Sequence, residues 1–310
     1  MNYKNVQTAA PKQSKLAQKW SNTLVPAMLA FIILAFSAQP SHAGNTLGSG
    51  QPGPPGWSLQ LWPYYSKQDS GETANNFFEL AWFSDFGVIS DTHQDQIELW
   101  AGFLGGYRRS DFEGNDSRWG TSTPQLGIEY FYQAHVSDAA PNTEGYRAWW
   151  ISPTFAVSFP NGSEKTSGFG SGADQYSAMF YINNFFGYDK WQLSVNPVVA
   201  NYMFRDRNHT DLEDGSRKRL QGGLSLFVAD IALGYQLNDN WAVGIHHEYD
   251  FYNVADSDFA KAERGMAGPT LNYNGLANKN IFISATVDFD YANHNTERAT
   301  TLTGSLVYMF

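Results

Sequence analysis

Thr300-Thr301-Leu302-Thr303-Gly304-Ser305-Leu306-Val307-Tyr308-Met309-Phe310 is the last stretch of the chain, and everything upstream can be judged against it. Leu302, Leu306, Tyr308 and Phe310 fall at every second position with Gly304 between them, while Thr301, Thr303 and Ser305 take the intervening places. Successive side chains of a strand point to opposite faces, so a period of two predicts a strand with one apolar and one polar face. An amphipathic strand that stops on an aromatic residue needs an apolar surrounding for that ring.

This ending resembles the closing strand of bacterial outer-membrane β-barrels. The resemblance implies that Tyr308 and Phe310 serve as a signal to the barrel assembly machinery. It also implies that the last strand closes a wall by pairing with the first, near Trp57.

The N-terminus fits export. Met1–Thr23 carries Lys4, Lys12, Lys15 and Lys19 and no acidic residue, Leu24–Ala38 is an apolar run, and Ser41-His42-Ala43 puts small residues where a signal peptidase looks. A cleaved signal over residues 1–43 is therefore expected. The apolar run is shorter than the ~20 residues of a membrane-spanning helix and contains Pro26. No cysteine follows it, which excludes a lipoprotein anchor. Residues 44–56 form a Gly/Pro-rich leader that should be irregular.

Composition narrows the class. The net charge is −10 over 310 residues and falls further when the four signal lysines leave, which argues against a nucleic-acid partner. Aromatic residues make up 16% of the chain although its mean hydropathy is negative. A barrel with a polar lumen, an apolar outside and aromatic girdles reconciles the two. The absence of cysteine suits a wall held by a continuous hydrogen-bonded ladder.

Eleven further strands of roughly barrel-spanning length, ~9–11 residues, precede the closing one. They are Trp57–Tyr65, Phe77–Phe86, Asp95–Tyr107, Thr123–Gln133, Arg147–Phe159, Asp174–Asn184, Lys190–Phe204, Gly222–Gln236, Trp241–Tyr252, Arg264–Tyr273 and Lys279–Asp290. The eighth changes parity, from Leu224, Leu226 and Val228 to Ile231, Leu233 and Tyr235, which predicts a bulge near Ala229–Asp230. The expectation is an all-β, antiparallel transmembrane barrel of about twelve strands spanning residues 57–310, in the outer membrane of a Gram-negative cell. Counts of ten or fourteen stay open. Connections after even strands should be short, and those after odd strands, such as Ser66–Asn76 and Tyr291–Ala299, long. Pro63, Pro124, Pro153, Pro197 and Pro269 fall inside these spans, and each implies a bulge, a strand end or a misplaced boundary. Aromatics gather near strand ends, among them Trp57, Phe77, Trp149, Phe185, Trp191, Trp241 and Tyr291, as interface girdles would.

By parity the inner face carries Glu79, Glu98, Glu129, Asp230, Glu248, Asp250, Asp288 and Asp290, with Arg147 the clearest opposing cation. Such a face favours cations or neutral solutes over anions, or merely keeps the lumen wet. Glu79, Glu248, Asp250, Asp288 and Asp290 should lie near the outer mouth. Trp62, Tyr64, Trp100, Phe131 and Trp150 share the inner face, as a slide for sugars or aromatic solutes or as packing that plugs the lumen. His246-His247-Glu248-Tyr249-Asp250 alone hints at catalysis or metal. His246, Glu248 and Asp250 share a face that His247 cannot reach, and a polar lumen row is the expected role. No His-x-Ser-Asn-Gly arrangement of outer-membrane phospholipases occurs, so no enzyme, cofactor or metal is expected. The charged loop Arg205–Gln221 would meet lipopolysaccharide or solvent.

Ser152-Pro153-Thr154-Phe155-Ala156-Val157-Ser158-Phe159-Pro160-Asn161-Gly162, the Gly-rich Ser167–Gly172 loop and Asp174-Gln175-Tyr176 resemble the outer-membrane family named for the meta pathway of phenol degradation. The resemblance implies a barrel that passes small, aromatic or hydrophobic solutes. A structural or surface barrel with a plugged lumen is the alternative, and a lipid-acting barrel enzyme a weaker one.

Overall fold

The computed structural model describes residues 47–69, 71–89, 95–110, 116–121, 124–160, 176–204, 210–211, 217–218, 223–253 and 262–310. The proposed signal and most of the charged loop lie outside these residues, as does the family-like stretch from Asn161 to Gln175.

Twelve wall strands follow one another around a closed sheet: β1 (Gly56–Gln68), β2 (Gly71–Phe83), β3 (Gln96–Ser110), β4 (Asp116–Thr121 and Gln125–Val136), β5 (Arg147–Ser158), β6 (Ser177–Tyr188), β7 (Trp191–Met203), β8 (Gly223–Asn238), β9 (Trp241–Asn253), β10 (Ala262–Tyr273), β11 (Ile281–His294) and β12 (Ala299–Met309). Every neighbouring pair is antiparallel, and β12 returns to β1. The sheet thus has no edge strand, which is the condition for a sheet to cross lipid. Phe310 N–H donates to Trp57 C=O at 2.8 Å, so the chain's last residue meets its first strand as expected.

The pleat sorts the chemistry. Leu80, Leu99, Leu126, Phe155, Phe180 and Phe289 are exposed on the outside, while Ser58, Gln60, Glu98, Ser152, Ser194 and Thr286 are buried inside. Rings ring the rim that holds the termini: Trp149 stacks on Phe186, Tyr308 on Phe310, and Trp241 packs on Tyr273. Tyr202–Phe204, Phe159–Tyr176 and Tyr249–Phe251 pairs mark the opposite, loop rim. Phe77 and Phe185 are corrections, since both turn inward and are at most 3% exposed.

Prolines mark broken ladders. Pro124 sits in the gap of β4, and Phe159 N–H uses its carbonyl. Pro63, Pro153, Pro197 and Pro269 each lie where pairing to one neighbouring strand lapses while the other ladder continues or shifts. The shift at Pro197 reverses parity, so Val199, expected outside with Trp191, is fully buried. The predicted bulge in β8 is present: register against β9 shifts between Val228 and Ile231, and Ala229 has φ +50°. The two irregularities stand side by side, because β7 and β8 keep one register through Val198–Val228 and Asn196–Asp230.

Loop lengths depart from the expectation. β1 and β2 form a continuous hairpin in which Gln68 pairs with Gly71, so Ser66–Asn76 is wall rather than loop. Asn75 and Asn76 are polar because they face the interior, where they are buried. β11 likewise runs on to His294.

At the terminal rim the Tyr188–Trp191 turn is fixed by Asp189. It accepts from Arg147 Nη1 at 2.6 Å and from Gly145 N–H at 2.7 Å, and the Arg147 guanidinium lies 3.5 Å from the Tyr188 ring centre. Arg147 is therefore a rim residue and not the lumen cation the sequence suggests. The guanidinium, and then the Gly145 N–H, hold the Asp189 carboxyl below its ordinary range. A depressed carboxylate stabilises the fold above its unfolded pKa, ~3.9, and loses that contribution as pH falls through the folded value. Asp189→Asn should lower the thermal midpoint at pH 7, and the gap to the parent should close below pH ~4.

Candidate functional site

The barrel interior divides into two regions. The first is a cavity of about 500 Å³ against β1–β4 and β6. Trp62, Phe77, Phe83, Trp100, Phe131 and Phe282 line its apolar side. Trp100 stands edge-on to Phe77, with ring centres 6.0 Å apart. Its indole lies across Gly127, where an added Cβ would come within 2.1 Å of the ring. Trp150 is 7% exposed and packs in the same buried cluster.

Glu79, Glu98 and Glu129 line the same cavity, each at most 9% exposed. Glu98 and Glu129 stand directly opposite on β3 and β4. Like charges so placed repel, so folding alone does not explain them. Gln60 Nε2 donates to Glu98 Oε1 at 3.2 Å. Glu79 pairs across to Gln60 and Gly102, which puts it in the terminal half of the wall and not at the outer mouth.

The cavity floor is the leader itself. Residues 47–54 line it from within the barrel. Leu47 is 3% exposed and packs on Ala232 and Ala242. Gly234 makes room for it, since an added Cβ there would sit 2.5 Å from Leu47 Cδ2. Three inward side chains grip the leader's backbone: Asn272 Nδ2 donates to Leu47 C=O, Ser194 Oγ to Ser49 C=O at 2.9 Å, and Ser152 Oγ to Gly50 C=O at 2.9 Å. Gly48 and Gly50 have φ near +89° and +86°, a conformation that glycine supplies without strain. The leader is irregular as expected, but nothing in its own pattern announces where it lies.

The second region is a polar wall on β8–β12, nearer the loop rim. His246 Nδ1 meets both Asp288 oxygens at 2.9 and 3.0 Å, and His246 Nε2 meets Asp230 Oδ1 at 3.1 Å. Glu248 and Asp250 are each 1% exposed beside them. Arg264 Nε donates to Asp290 Oδ1 at 2.8 Å, and its Nη2 donates to Thr301 Oγ1 at 2.6 Å. Arg264 is the interior cation that sequence parity missed. His247 points outward, as expected: its Nδ1 meets Ala229 C=O at 2.9 Å and its Nε2 meets Tyr291 OH at 2.8 Å.

A closed twelve-strand wall around a lined cavity invites comparison with solved barrels. The crystal structure of the COG4313 outer membrane channel from Pseudomonas putida F1 superposes with a TM-score of 0.63 at 13% identity, over 85% of this chain and 98% of that one. The translocator domain of the autotransporter NalP from Neisseria meningitidis matches at a TM-score of 0.42 and 10% identity, over 96% and 97% of the two chains. The NanC porin matches at 0.38 and 11%, over 81% and 99%. No protein-family model matches the chain, and no curated protein matches it by sequence. At these identities the likeness is one of fold: an outer-membrane-type β-barrel.

Proposed function

We propose that this chain is an outer-membrane channel that lets small solutes, aromatic or hydrophobic in part, cross by facilitated diffusion. The observation that carries the proposal is the 500 Å³ cavity, with an indole and phenyl side facing a carboxylate side inside a closed wall. Rings offer flat apolar contact to a solute, and Glu79, Glu98 and Glu129 disfavour anions. Glu248, Asp250, Asp288 and Asp290 extend the acidic lining toward the loop rim, and Trp100 and Trp150 supply interior ring surface. The COG4313 outer membrane channel, with the same fold, supports the reading. Membership of the phenol meta-pathway family would agree with it, and passive passage requires neither cofactor nor enzyme.

In this reading residues 1–43 are a signal removed at Ala43, which leaves Gly44 just before the buried Leu47. The terminal rim faces the periplasm, Tyr308 and Phe310 address the assembly machinery, and the loop rim meets lipopolysaccharide. Proteoliposomes should swell faster in a neutral aromatic glycoside than in an aromatic carboxylate of equal size. The Glu98→Gln, Glu129→Gln double variant should lose that discrimination. Equal rates for both solutes in the parent would remove the proposed selectivity.

One observation favours a second reading, a surface barrel with a closed lumen: residues 47–54 occupy the interior. Impermeability of the parent together with impermeability of a leader-deleted barrel would select it.

A further inference from the structure

The bulge in β8 has a chemical consequence. Its extra residue, Ala229, holds φ +50°, and the outward His247 pins it by binding Ala229 C=O. Without that residue, Asp230 would share the outward parity of Leu224, Leu226 and Val228 and face lipid. With it, Asp230 turns inward and is fully buried against His246. Bulges that re-aim one side chain are common beside functional sites.

The group so assembled comes from two adjacent strands. Asp230 on β8 with His246 and Glu248 on β9 bring one ligand atom each to within 4.8 Å of one another. His246 Nε2 lies 3.1 Å from Asp230 Oδ1 and 4.0 Å from Glu248 Oε2. Glu248 is 99% buried, and its Oε1 has no hydrogen-bond partner. The guanidinium of Arg264 is engaged by Asp290 and Thr301. A buried carboxylate oxygen without a donor is a costly arrangement unless a cation completes it.

The imidazole gives the same indication. A neutral imidazole carries one N–H, yet both ring nitrogens face carboxylates, Nδ1 to Asp288 and Nε2 to Asp230. A cation on Nε2 leaves the Nδ1–H to Asp288, the carboxylate–histidine–metal arrangement that fixes the tautomer. Ligand bonds of roughly 2.0–2.2 Å require only a small contraction of the observed spacings. One imidazole and two carboxylates suit a first-row divalent ion such as zinc better than calcium, which takes oxygen alone.

We propose that Asp230, His246 and Glu248 form a divalent transition-metal site in the barrel wall, with Asp288 orienting the imidazole. The ion staples β8 to β9 and, through Asp288, to β11.

The test uses the full chain folded in detergent, stripped with a chelator and titrated with Co²⁺, with folding followed by gel migration of unheated samples. The expected result is one Co²⁺ per chain with a visible d–d band, displaced by Zn²⁺. Asp230→Asn and Glu248→Gln should each bind at least about tenfold more weakly while migrating as folded barrels. Zinc should raise the thermal midpoint of the parent and leave that of Glu248→Gln unchanged. A parent that binds no Co²⁺, whatever the variants do, overturns the assignment and leaves His246 as an imidazolium bridging Asp230 and Asp288. Co²⁺ bound equally by the parent and the folded Asp230→Asn, Glu248→Gln double variant overturns it as well.

Discussion

Removing residues 47–54 is expected to raise the swelling rate of proteoliposomes severalfold in small neutral solutes and to admit solutes that the parent excludes. The physical basis is the way the leader is held. It has no strand partner and lies along the interior on Leu47 and on donors from Asn272, Ser194 and Ser152. Each neutral hydrogen bond contributes about 0.5–1.5 kcal/mol net, and burying one leucine about 1.5–3 kcal/mol. These are modest attachments, whereas the wall is fixed by continuous ladders between all twelve strands. Deletion should therefore change permeation and leave the barrel folded. Gly234→Val should act in the same direction but more weakly, because it crowds only the Leu47 socket. If the leader-deleted barrel remains folded and swelling is unchanged, the leader does not limit the pore.

Arg264→Met is expected to produce the largest loss of stability of any single substitution in the wall. Asp290 is 99% buried at its side chain and shares Arg264 Nε, Ala299 N–H at 2.8 Å and Asn293 Nδ2 at 3.0 Å. These contacts tie β10, β11 and β12 together. Removing the guanidinium leaves a buried carboxylate with no opposing charge, which costs about 3–5 kcal/mol. Denaturant unfolding in lipid vesicles should show a loss near 3 kcal/mol, since the two remaining donors still hold the carboxylate. Arg264→Met with Asp290→Asn should recover part of it, because the uncompensated charge is gone. A loss below 1 kcal/mol would mean that water reaches Asp290.

Strand count, order and closure were legible because a membrane wall obeys one local rule, alternation, for most of its length. The bulge at Ala229–Asp230 was legible for the same reason: a change of parity is itself a local signal. Interior polarity misled where it imitated a loop. Asn75 and Asn76 sit in an otherwise polar run and read as connection, although they are lumen positions of β2. Arg264 stayed hidden because Gly265, Gly268 and Pro269 erase the alternation of β10. Arg147 looked like a lumen cation because parity says nothing about height, and only the fold shows that it lies at the rim beside Asp189. The leader's place had no periodic signature at all. Leu47 is a lone apolar residue among glycines, and its socket is built from Ala232, Gly234 and Ala242, far along the chain. The polar wall was half legible. His246, Glu248, Asp250 and Asp288 share inward parity, but only the register shift shows Asp230 beside them.

Single-channel current across a planar bilayer with a potassium chloride gradient tests the channel account most directly. The account predicts discrete current steps, a reversal potential of the sign set by cation preference, and larger steps once residues 47–54 are deleted. A folded barrel that gives no discrete steps with or without the leader would contradict it.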